Sequence, residues 1–584
     1  MKMQNVQRIF LISTFIISVF PAHADLQNEI GYTLLKNSLN MQGEALADGT
    51  GIQVLLAEAC NNAIDADNDP STPPVCIAWL PDISNNDFQG ILINDISAST
   101  SGLFSSHATG VARLFFGHTS SIAPGINHVD AYLADHWIED GFLHAGNPSL
   151  LPAISVNRIA NHSWIGSADT EPEAQFSDVD VLHRIDWLID RDEFLQIVGL
   201  SNGNSNPPLL SSAFNVIAVG RSDGHHGLGT AKIDSIYSAG RTRPDIVVPL
   251  STTSSATPVI SAAAALLIDA GHNNPLLSSD SLMSSTTNRA GEVIYNAERS
   301  EVVKALLMAG ANRETDNGLI TDYRNTAATQ SKNGLDIRFG AGQINIANSY
   351  SILISGEQNS LEDNFGLATT ITSNGFDYDP AFGGLENSNT EASYSFSTGS
   401  ESEMFFVSLV WNIDIEPEFE TNFENSAHLY DLNLVLVDVT ANPLLIASST
   451  SKKNNTENLW VQLENNRDYI LKVVSDAGQL PYKWDYAIAW RREIDSDHDG
   501  IENDRDNCLN ISNPAQGDTD NDGFGNRCDA DLDNNGFVSF ADLEIFRSRF
   551  GSHDPDVDFD GNGSVSFADL VIFKSLFGKM PGHK

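Results

Sequence analysis

Residues 254–267 read SSATPVISAAAALL, a pair of serines followed directly by an Ala-rich run. Alanine and leucine are strong helix formers, so the pattern predicts a helix that begins near Ser254 and ends at Gly271. The first backbone N–H groups of a helix have no intrahelical partner and stabilise negative charge. Ser254 is therefore either a nucleophile beside an oxyanion-binding helix start or an ordinary helix N-cap.

Two segments upstream supply an acid and a histidine. Residues 54–57 read VLLA, a buried strand that ends on Glu58, and residues 105–109 read SSHAT, with His107 at the head of another apolar helix-like run. A carboxylate that closes a buried strand is costly to bury unless it is paired, and His107 is its natural partner. Asp95, at the end of a second predicted strand, is the alternative acid. The order acid, histidine, serine is one in which catalytic triads occur.

From about residue 45 to 350 the chain resembles the subtilisin-like serine peptidases. Residues 252–258, TTSSATP, look like the family's Gly-Thr-Ser-x-Ala-x-Pro nucleophile motif, and His107-Ala108-Thr109 looks like its His-Gly-Thr motif. Leu200-Ser201-Asn202-Gly203 resembles the family segment whose Asn donates to the oxyanion. Further similar segments are residues 161–164, 215–220, 243–249 and 339–345.

This resemblance implies a doubly wound α/β domain with a mostly parallel sheet. It also implies hydrolysis of peptide bonds in a protein or peptide substrate through an acyl-enzyme. Ser254 would attack the carbonyl, and His107 would take and return the proton. Glu58 would orient His107, and Asn202 with the Ser254 N–H would hold the oxyanion.

Five positions depart from the family pattern, and two of them, Ala108 and Gly110, follow His107. Glu58 stands where the family has Asp, Thr252 replaces a glycine, and Ser201 replaces another. A threonine obstructs the site if its position needs a positive φ. Two function classes therefore stay open: an active peptidase, and a catalytically inactive scaffold that keeps the fold for binding. The sequence favours the enzyme because Ser254, His107 and Asn202 are all present.

The beginning of the chain has the pattern of a secretory signal peptide. Lys2 and Arg8 precede an apolar run over residues 9–20, and Ala22-His23-Ala24 is a small-x-small cleavage site. We expect residues 1–24 to be removed and the protein to be secreted and extracellular, with the periplasm or cell surface as alternatives. No later apolar run is predicted to span a membrane. The formal charge of −45 argues against nucleic acid as a partner and favours bound cations.

The remaining sequence divides by pattern. We assign residues 25–352 to the peptidase domain and residues 353–492, with their period-two apolar alternation, to a β-sandwich. The four cysteines form two local pairs, and export permits disulfides, so Cys60 is predicted to pair with Cys76 and Cys508 with Cys528.

Acidic residues alternate with turn residues after position 494, a spacing that suits the oxygen preference of Ca²⁺. Residues 493–529 resemble thrombospondin type 3 repeats. Residues 530–584 contain two loops with acids, amides or serine at positions one, three, five, nine and twelve and glycine at six. The predicted Ca²⁺ ligands are Asp495, Asp497, Asp499, Asp518, Asp520 and Asp522 in the repeats, and Asp531, Asp533, Asn535, Ser539, Asp542, Asp558, Asp560, Asn562, Ser566 and Asp569 in the loops.

One helix is predicted after each loop, over residues 543–550 and 570–577. Paired half-hands of this kind resemble a type I dockerin module, which implies a cohesin-like partner. Phe540-Ala541 and Phe567-Ala568 stand where Ser/Thr recognition pairs are usual. A calcium-rigidified tail without such a partner is the alternative.

Overall fold

A computed structural model of the chain describes residues 23–64, 75–98, 103–168, 176–280, 283–313, 331–363, 370–419, 422–497, 499, 501, 503, 506–513, 516–520 and 522–582. The first 22 residues of the predicted signal peptide lie outside these ranges. The α-helices are α1 (His23–Glu29), α2 (Tyr32–Gln42), α3 (Ser106–Phe116), α4 (Ala134–His136), α5 (Asp178–Asp192), α6 (Thr253–His272), α7 (Ser300–Ala309), α8 (Ile346–Ile354), α9 (Phe540–Arg549) and α10 (Phe567–Leu576).

The strands that precede residue 300 are β1 (Val54–Glu58), β2 (Asn62–Ile64), β3 (Val75–Ala78), β4 (Leu92–Asp95), β5 (His128–Leu133), β6 (Ile159–His162), β7 (Leu195–Gly199), β8 (Ile217–Arg221), β9 (Ile246–Val248), β10 (Ser285–Thr287) and β11 (Val293–Tyr295). Those that follow are β12 (Asn374–Phe382), β13 (Glu391–Ser397), β14 (Glu403–Val410), β15 (Asp414–Phe419), β16 (Asn422–His428), β17 (Leu432–Asp438), β18 (Leu444–Ser449), β19 (Thr456–Leu463), β20 (Asp468–Ser475) and β21 (Trp484–Ile494).

Seven strands form one parallel sheet in the order β4-β5-β1-β6-β7-β8-β9. Successive residues of a strand point to opposite faces, and β1 is buried on both. Val54 and Leu56 pack in the core under α3, α6 and α8, whereas Leu55 and Ala57 pack under α5. Helices thus cover both faces of the sheet, and the predicted doubly wound α/β fold is confirmed.

Two four-stranded antiparallel sheets follow, in the orders β12-β21-β14-β19 and β13-β20-β17-β18. Inward-facing residues from both sheets, such as Phe405, Leu434 and Trp490, form their common core. The period-two alternation in the sequence corresponds to these inward and outward faces.

The sandwich and the α/β unit also share buried contacts. The β15–β16 hairpin packs on α5, where the rings of Phe423 and Trp187 lie 5.7 Å apart. Arg491 of β21 is buried and donates from Nε to the carbonyl oxygen of Ala309, at the end of α7 (3.1 Å). The sandwich is therefore joined to the α/β unit by apolar and polar contacts.

The tail helices and both disulfides agree with the sequence pattern. Disulfides join Cys60 to Cys76 and Cys508 to Cys528, as predicted. Helices α9 and α10 begin three residues earlier than expected, because Ser539 and Ser566 cap them. Among the described residues, α6 alone is long and apolar enough to cross a membrane, and most of it is buried in the α/β core.

Candidate active site

The predicted catalytic residues lie at one edge of the parallel sheet. Glu58 is the last residue of β1, and Asn202 follows the end of β7 by a short turn. Ser254 lies in the first turn of α6, which packs against β6, β7 and β8. Ligands of open α/β sheets bind at this carboxyl edge, where loops from several strands meet.

Glu58 and His107 are in direct contact. Ser105 caps α3 by accepting from the Ala108 N–H (3.2 Å), which puts His107 in the first turn of that helix. Glu58 is 1% exposed, and its Oε2 lies 2.8 Å from Nδ1 of His107. Burial lowers the pKa of His107, but the charge of Glu58 and its hydrogen bond raise it, and the net result is a pKa above the ordinary 6.5.

Asp95 is not the partner of His107 Nδ1 in this structure. It ends β4 and is exposed to solvent, whereas Glu58 holds Nδ1. The longer side chain of Glu58 therefore reaches the position that a histidine-orienting carboxylate needs.

Thr252 fits its position without strain. Its φ of −140° and ψ of 148° are extended, a conformation that a β-branched residue adopts readily. Its hydroxyl caps α6 by accepting from the Ser255 N–H (3.1 Å). The replacement of glycine by threonine therefore leaves the start of the helix intact.

Pro258 leaves the Ser254 carbonyl without its usual helix partner. A proline has no N–H, so the bond from residue 258 to the carbonyl of residue 254 cannot form. Ser163, just after β6, donates its Oγ to that carbonyl instead (3.1 Å). Asn161 supports Ser163 by donating from Nδ2 to its Oγ (3.0 Å). This chain of contacts fixes the backbone of Ser254.

The Ser254 hydroxyl is not hydrogen-bonded to His107. Its Oγ donates to the Ser163 carbonyl oxygen at 3.4 Å. Nε2 of His107 is buried and has no hydrogen-bond partner within the described part of the chain. The structure therefore brings Glu58 and His107 together but does not form the serine–histidine hydrogen bond, which is often long in ligand-free enzymes.

Asn202 is held against the start of α6. Its Oδ1 accepts from the Thr253 N–H (3.0 Å), which leaves the amide nitrogen for other acceptors. Asn202 and Ser254 line one cavity of about 340 Å³. The other lining residues are Ser163, Trp164, Ile165, Gly199, Leu200, Ser201, Gly203, Arg221, Ser251, Thr252 and Thr253.

The predicted calcium ligands converge in four groups. In each group, carboxylate oxygens from three acids lie within 4.8 Å of one another. Three like charges so close are costly without a cation. The groups are Asp495, Asp497 and Asp499; Asp518, Asp520 and Asp522; Asp531, Asp533 and Asp542; and Asp558, Asp560 and Asp569.

Asp497 gives the strongest sign of a cation. Both of its carboxylate oxygens are buried without a hydrogen bond of ordinary geometry among the described residues, although the Asp499 N–H lies near enough to lower the pKa slightly. Its pKa is raised to about 6 by burial and by the neighbouring acids, of which Asp499 acts most strongly. Buried carboxylate oxygens normally have partners, so this donor set fits a hard cation such as Ca²⁺.

The non-acidic predicted ligands have other partners in the structure. Ser539 and Ser566 are helix N-caps whose hydroxyls donate to Asp542 Oδ2 (3.0 Å) and Asp569 Oδ2 (3.1 Å). Asn535 donates from Nδ2 to Asp533, and Asn562 Oδ1 accepts from the N–H (3.0 Å) and the hydroxyl (2.8 Å) of Ser564.

Sequence reasoning missed two residues of the site. The sequence offers Ser163 only as part of the similar segment 161–164, although Pro258 signals an unpaired carbonyl at Ser254. Arg221 lines the cavity from the end of β8. It directly follows the similar segment 215–220, so the sequence comparison did not include it.

No protein-family model and no curated protein matches the chain. Among solved structures it resembles a mutant of the protease domain of PatA (17% identity, 53% of this chain and 98% of that chain, TM-score 0.29). It also resembles a cold-adapted subtilisin-like serine proteinase (16%, 46% and 85%, TM-score 0.25).

A further similarity is to a type II cohesin-dockerin domain from Bacteroides cellolosolvens, with 29% identity, 9% of this chain, 87% of that chain and a TM-score of 0.09. All of these TM-scores are below 0.5, so the functional argument rests on the geometry of the site.

Proposed function

We propose that this protein is a secreted serine endopeptidase that hydrolyses peptide bonds through an acyl-enzyme on Ser254. The observation that carries the proposal is the buried contact between Glu58 and Nδ1 of His107 at the sheet edge that also carries Ser254 and Asn202. A buried carboxylate on Nδ1 fixes the tautomer in which Nε2 accepts a proton. Secretion is inferred from the sequence of residues 1–24.

The reaction begins when the Ser254 hydroxyl turns from the Ser163 carbonyl to Nε2 of His107. Ser254 Oγ then attacks the peptide carbonyl while His107 takes its proton, and Glu58 stabilises the imidazolium. Asn202 Nδ2 and the Ser254 N–H donate to the oxyanion. His107 protonates the leaving amine, and a water molecule, activated by the same imidazole, releases the acyl group.

The acidic tail is proposed to bind Ca²⁺ in thrombospondin type 3-like and dockerin-like modules. The four groups of aspartates defined above would hold the ions, which supply positive charge that neutralises the converging carboxylates. The two dockerin-like halves pack symmetrically: Phe540 contacts Phe577, and Phe567 contacts Phe550. Phe540 and Phe567 are each 74% exposed, which supports a cohesin-like partner that accepts apolar side chains.

The second candidate is a catalytically inactive scaffold, with the tail mediating calcium-dependent assembly. The hydrogen bond from Ser254 Oγ to the Ser163 carbonyl favours it, because a hydroxyl in that orientation does not reach His107. The two candidates differ in whether the serine is chemically activated.

Hydrolysis of a dye-labelled denatured casein, measured with calcium present, distinguishes them. Ser254→Ala is expected to abolish hydrolysis. Ser255→Ala is the matched control, because its hydroxyl contacts Thr252 Oγ1 (2.9 Å) and is outside the proposed chemistry. No hydrolysis by the folded wild-type protein, or equal hydrolysis by Ser254→Ala, would overturn the peptidase proposal.

A further inference from the structure

The cavity beside Ser254 has one charged side chain among its lining residues, and that side chain is a cation. Trp164, Ile165 and Leu200 supply apolar wall, and the hydroxyl and amide groups around them are neutral. Arg221, the last residue of β8, lines this cavity, and its side chain is only 14% exposed. A guanidinium in a partly apolar wall interacts with an anion more strongly than it does in water.

The guanidinium of Arg221 is only partly satisfied by the protein. Nη1 donates to the His225 carbonyl oxygen (3.1 Å), and Nη2 pairs with Asp223. Nε is buried and has no hydrogen-bond partner in the described part of the chain. Asp223 pairs with the guanidinium from outside the cavity, whose lining residues include no carboxylate. Buried donors are nearly always paired, so Arg221 retains one N–H for a further acceptor.

The position of the cavity identifies the part of the substrate that enters it. In an acyl-enzyme, the carbonyl carbon is bonded to Ser254 Oγ and its oxygen lies near Asn202. The side chain of the residue that supplies this carbonyl is therefore directed into the space that Ser254, Asn202 and residues 163–165 enclose. An acidic side chain there would meet the planar guanidinium, which suits a carboxylate better than any neutral group.

We propose that Arg221 makes the enzyme selective for aspartate or glutamate at the residue whose carbonyl is attacked. This proposal rests on the proposed peptidase function, of which it names the substrate class. Charge-assisted hydrogen bonds of this kind give a preference of about 10- to 100-fold over the neutral amide of the same shape.

Internally quenched peptides that differ only at this residue test the selectivity. With Glu, Asp, Gln, Asn or Phe at that place, wild-type kcat/KM is expected to favour Glu over Gln, or Asp over Asn, by about tenfold or more. Mass spectrometry of the products verifies the cleaved bond. Arg221→Gln is expected to remove the preference while Gln and Phe peptides are still cleaved. Arg221→Lys keeps the positive charge but lacks the planar guanidinium, and it is expected to show an intermediate ratio of kcat/KM for the acidic and amide peptides.

The matched control is Arg338→Gln, which removes an exposed arginine from a neighbouring segment outside the cavity and is expected to keep the wild-type ratio. Measurements in 0.15 M salt limit the effect of distant charge. Equal cleavage of Glu and Gln peptides by wild type, or a preference that survives in Arg221→Gln, would overturn the proposal.

A binding experiment separates this proposal from the peptidase proposal. Ser254→Ala protein is titrated with the same peptides carrying a dye, and anisotropy gives Kd. Tighter binding of the Glu or Asp peptide that disappears with Arg221→Gln supports the specificity even if wild type cleaves nothing, in which case only the peptidase proposal fails. Equal binding of the acidic and amide peptides, or no binding of any of them, contradicts the specificity.

Discussion

Replacing Glu58 by glutamine tests whether the Glu58 carboxylate orients His107 and fixes its tautomer. Oε1 of Glu58 is buried without a partner in the described residues, while Oε2 holds Nδ1 of His107. A glutamine with its oxygen toward His107 therefore buries an NH₂ group that has no acceptor, at a cost of ~1–3 kcal/mol. The opposite orientation donates to Nδ1 and moves the imidazole proton to Nε2. In that tautomer the histidine cannot accept the proton of Ser254.

The expected fall in kcat is ~10³–10⁴. The substitution also removes the charge that raises the pKa of His107, so burial alone remains and the pKa falls below 6.5. Wild-type kcat/KM should rise with pH through a pKa above 6.5, as His107 loses its proton. The same inflection should lie at lower pH in Glu58→Gln.

Glu58→Asp keeps the charge, shortens the side chain by one methylene and is the companion test. The backbone of Glu58 is fixed by pairing with Leu133 of β5, so removing one ~1.5 Å carbon–carbon bond leaves the carboxylate about 4 Å from Nδ1. We expect kcat to fall by ~10² or more even though the charge remains. Hydrolysis of a quenched peptide from pH 5 to 9 measures both variants. A Glu58→Gln enzyme within tenfold of wild type, or one with an unchanged inflection, would refute the role given to Glu58.

Three other predictions concern the oxyanion, the tail and the junction with the sandwich. Asn202→Ala should lower kcat by ~10²–10³ with little change in KM, since it removes a donor used mainly in the transition state; an unchanged kcat would exclude it from the oxyanion site. Chelation with EGTA should make the chain after residue 494 sensitive to limited trypsin digestion, and unchanged protection would contradict calcium binding. Burial, and to a smaller extent the charge of Asp363, raises the pKa of Asp379 from 3.8 to about 8. The contribution of Asp379 to the free energy of unfolding is therefore full below pH 3.8 and is lost as the pH rises through 8. Measured by calorimetry, the Tm of Asp379→Asn should fall less with rising pH than the Tm of the wild-type protein. An equal fall of Tm in the variant and the wild type would refute this prediction.

The α/β fold was predictable because its decisive segments are local. The buried run before Glu58 became β1, and the Ala-rich run after Ser254 became α6, which ends one residue beyond Gly271. The contact between Glu58 and His107 follows from the cost of burying a lone carboxylate, so it too was accessible from the residue types.

Long-range packing decided what the sequence could not show. The orientation of the Ser254 hydroxyl depends on Ser163, which is distant in sequence and meets it only through the packing of β6 against α6. Arg221 reaches the cavity because β8 lies beside β7, and no local pattern encodes that neighbour. The packing of Phe423 on Trp187 likewise joins segments that no periodicity relates.

Labelling with a fluorophosphonate probe tests the activated serine most directly. The calcium-loaded full-length protein should incorporate one probe per chain, on the peptide that contains Ser254. Ser254→Ala and His107→Ala should not be labelled above the background of an unfolded sample, whereas Ser255→Ala should be labelled like wild type. No labelling of the folded wild-type protein, or labelling that persists in His107→Ala, would contradict the proposal that His107 activates Ser254.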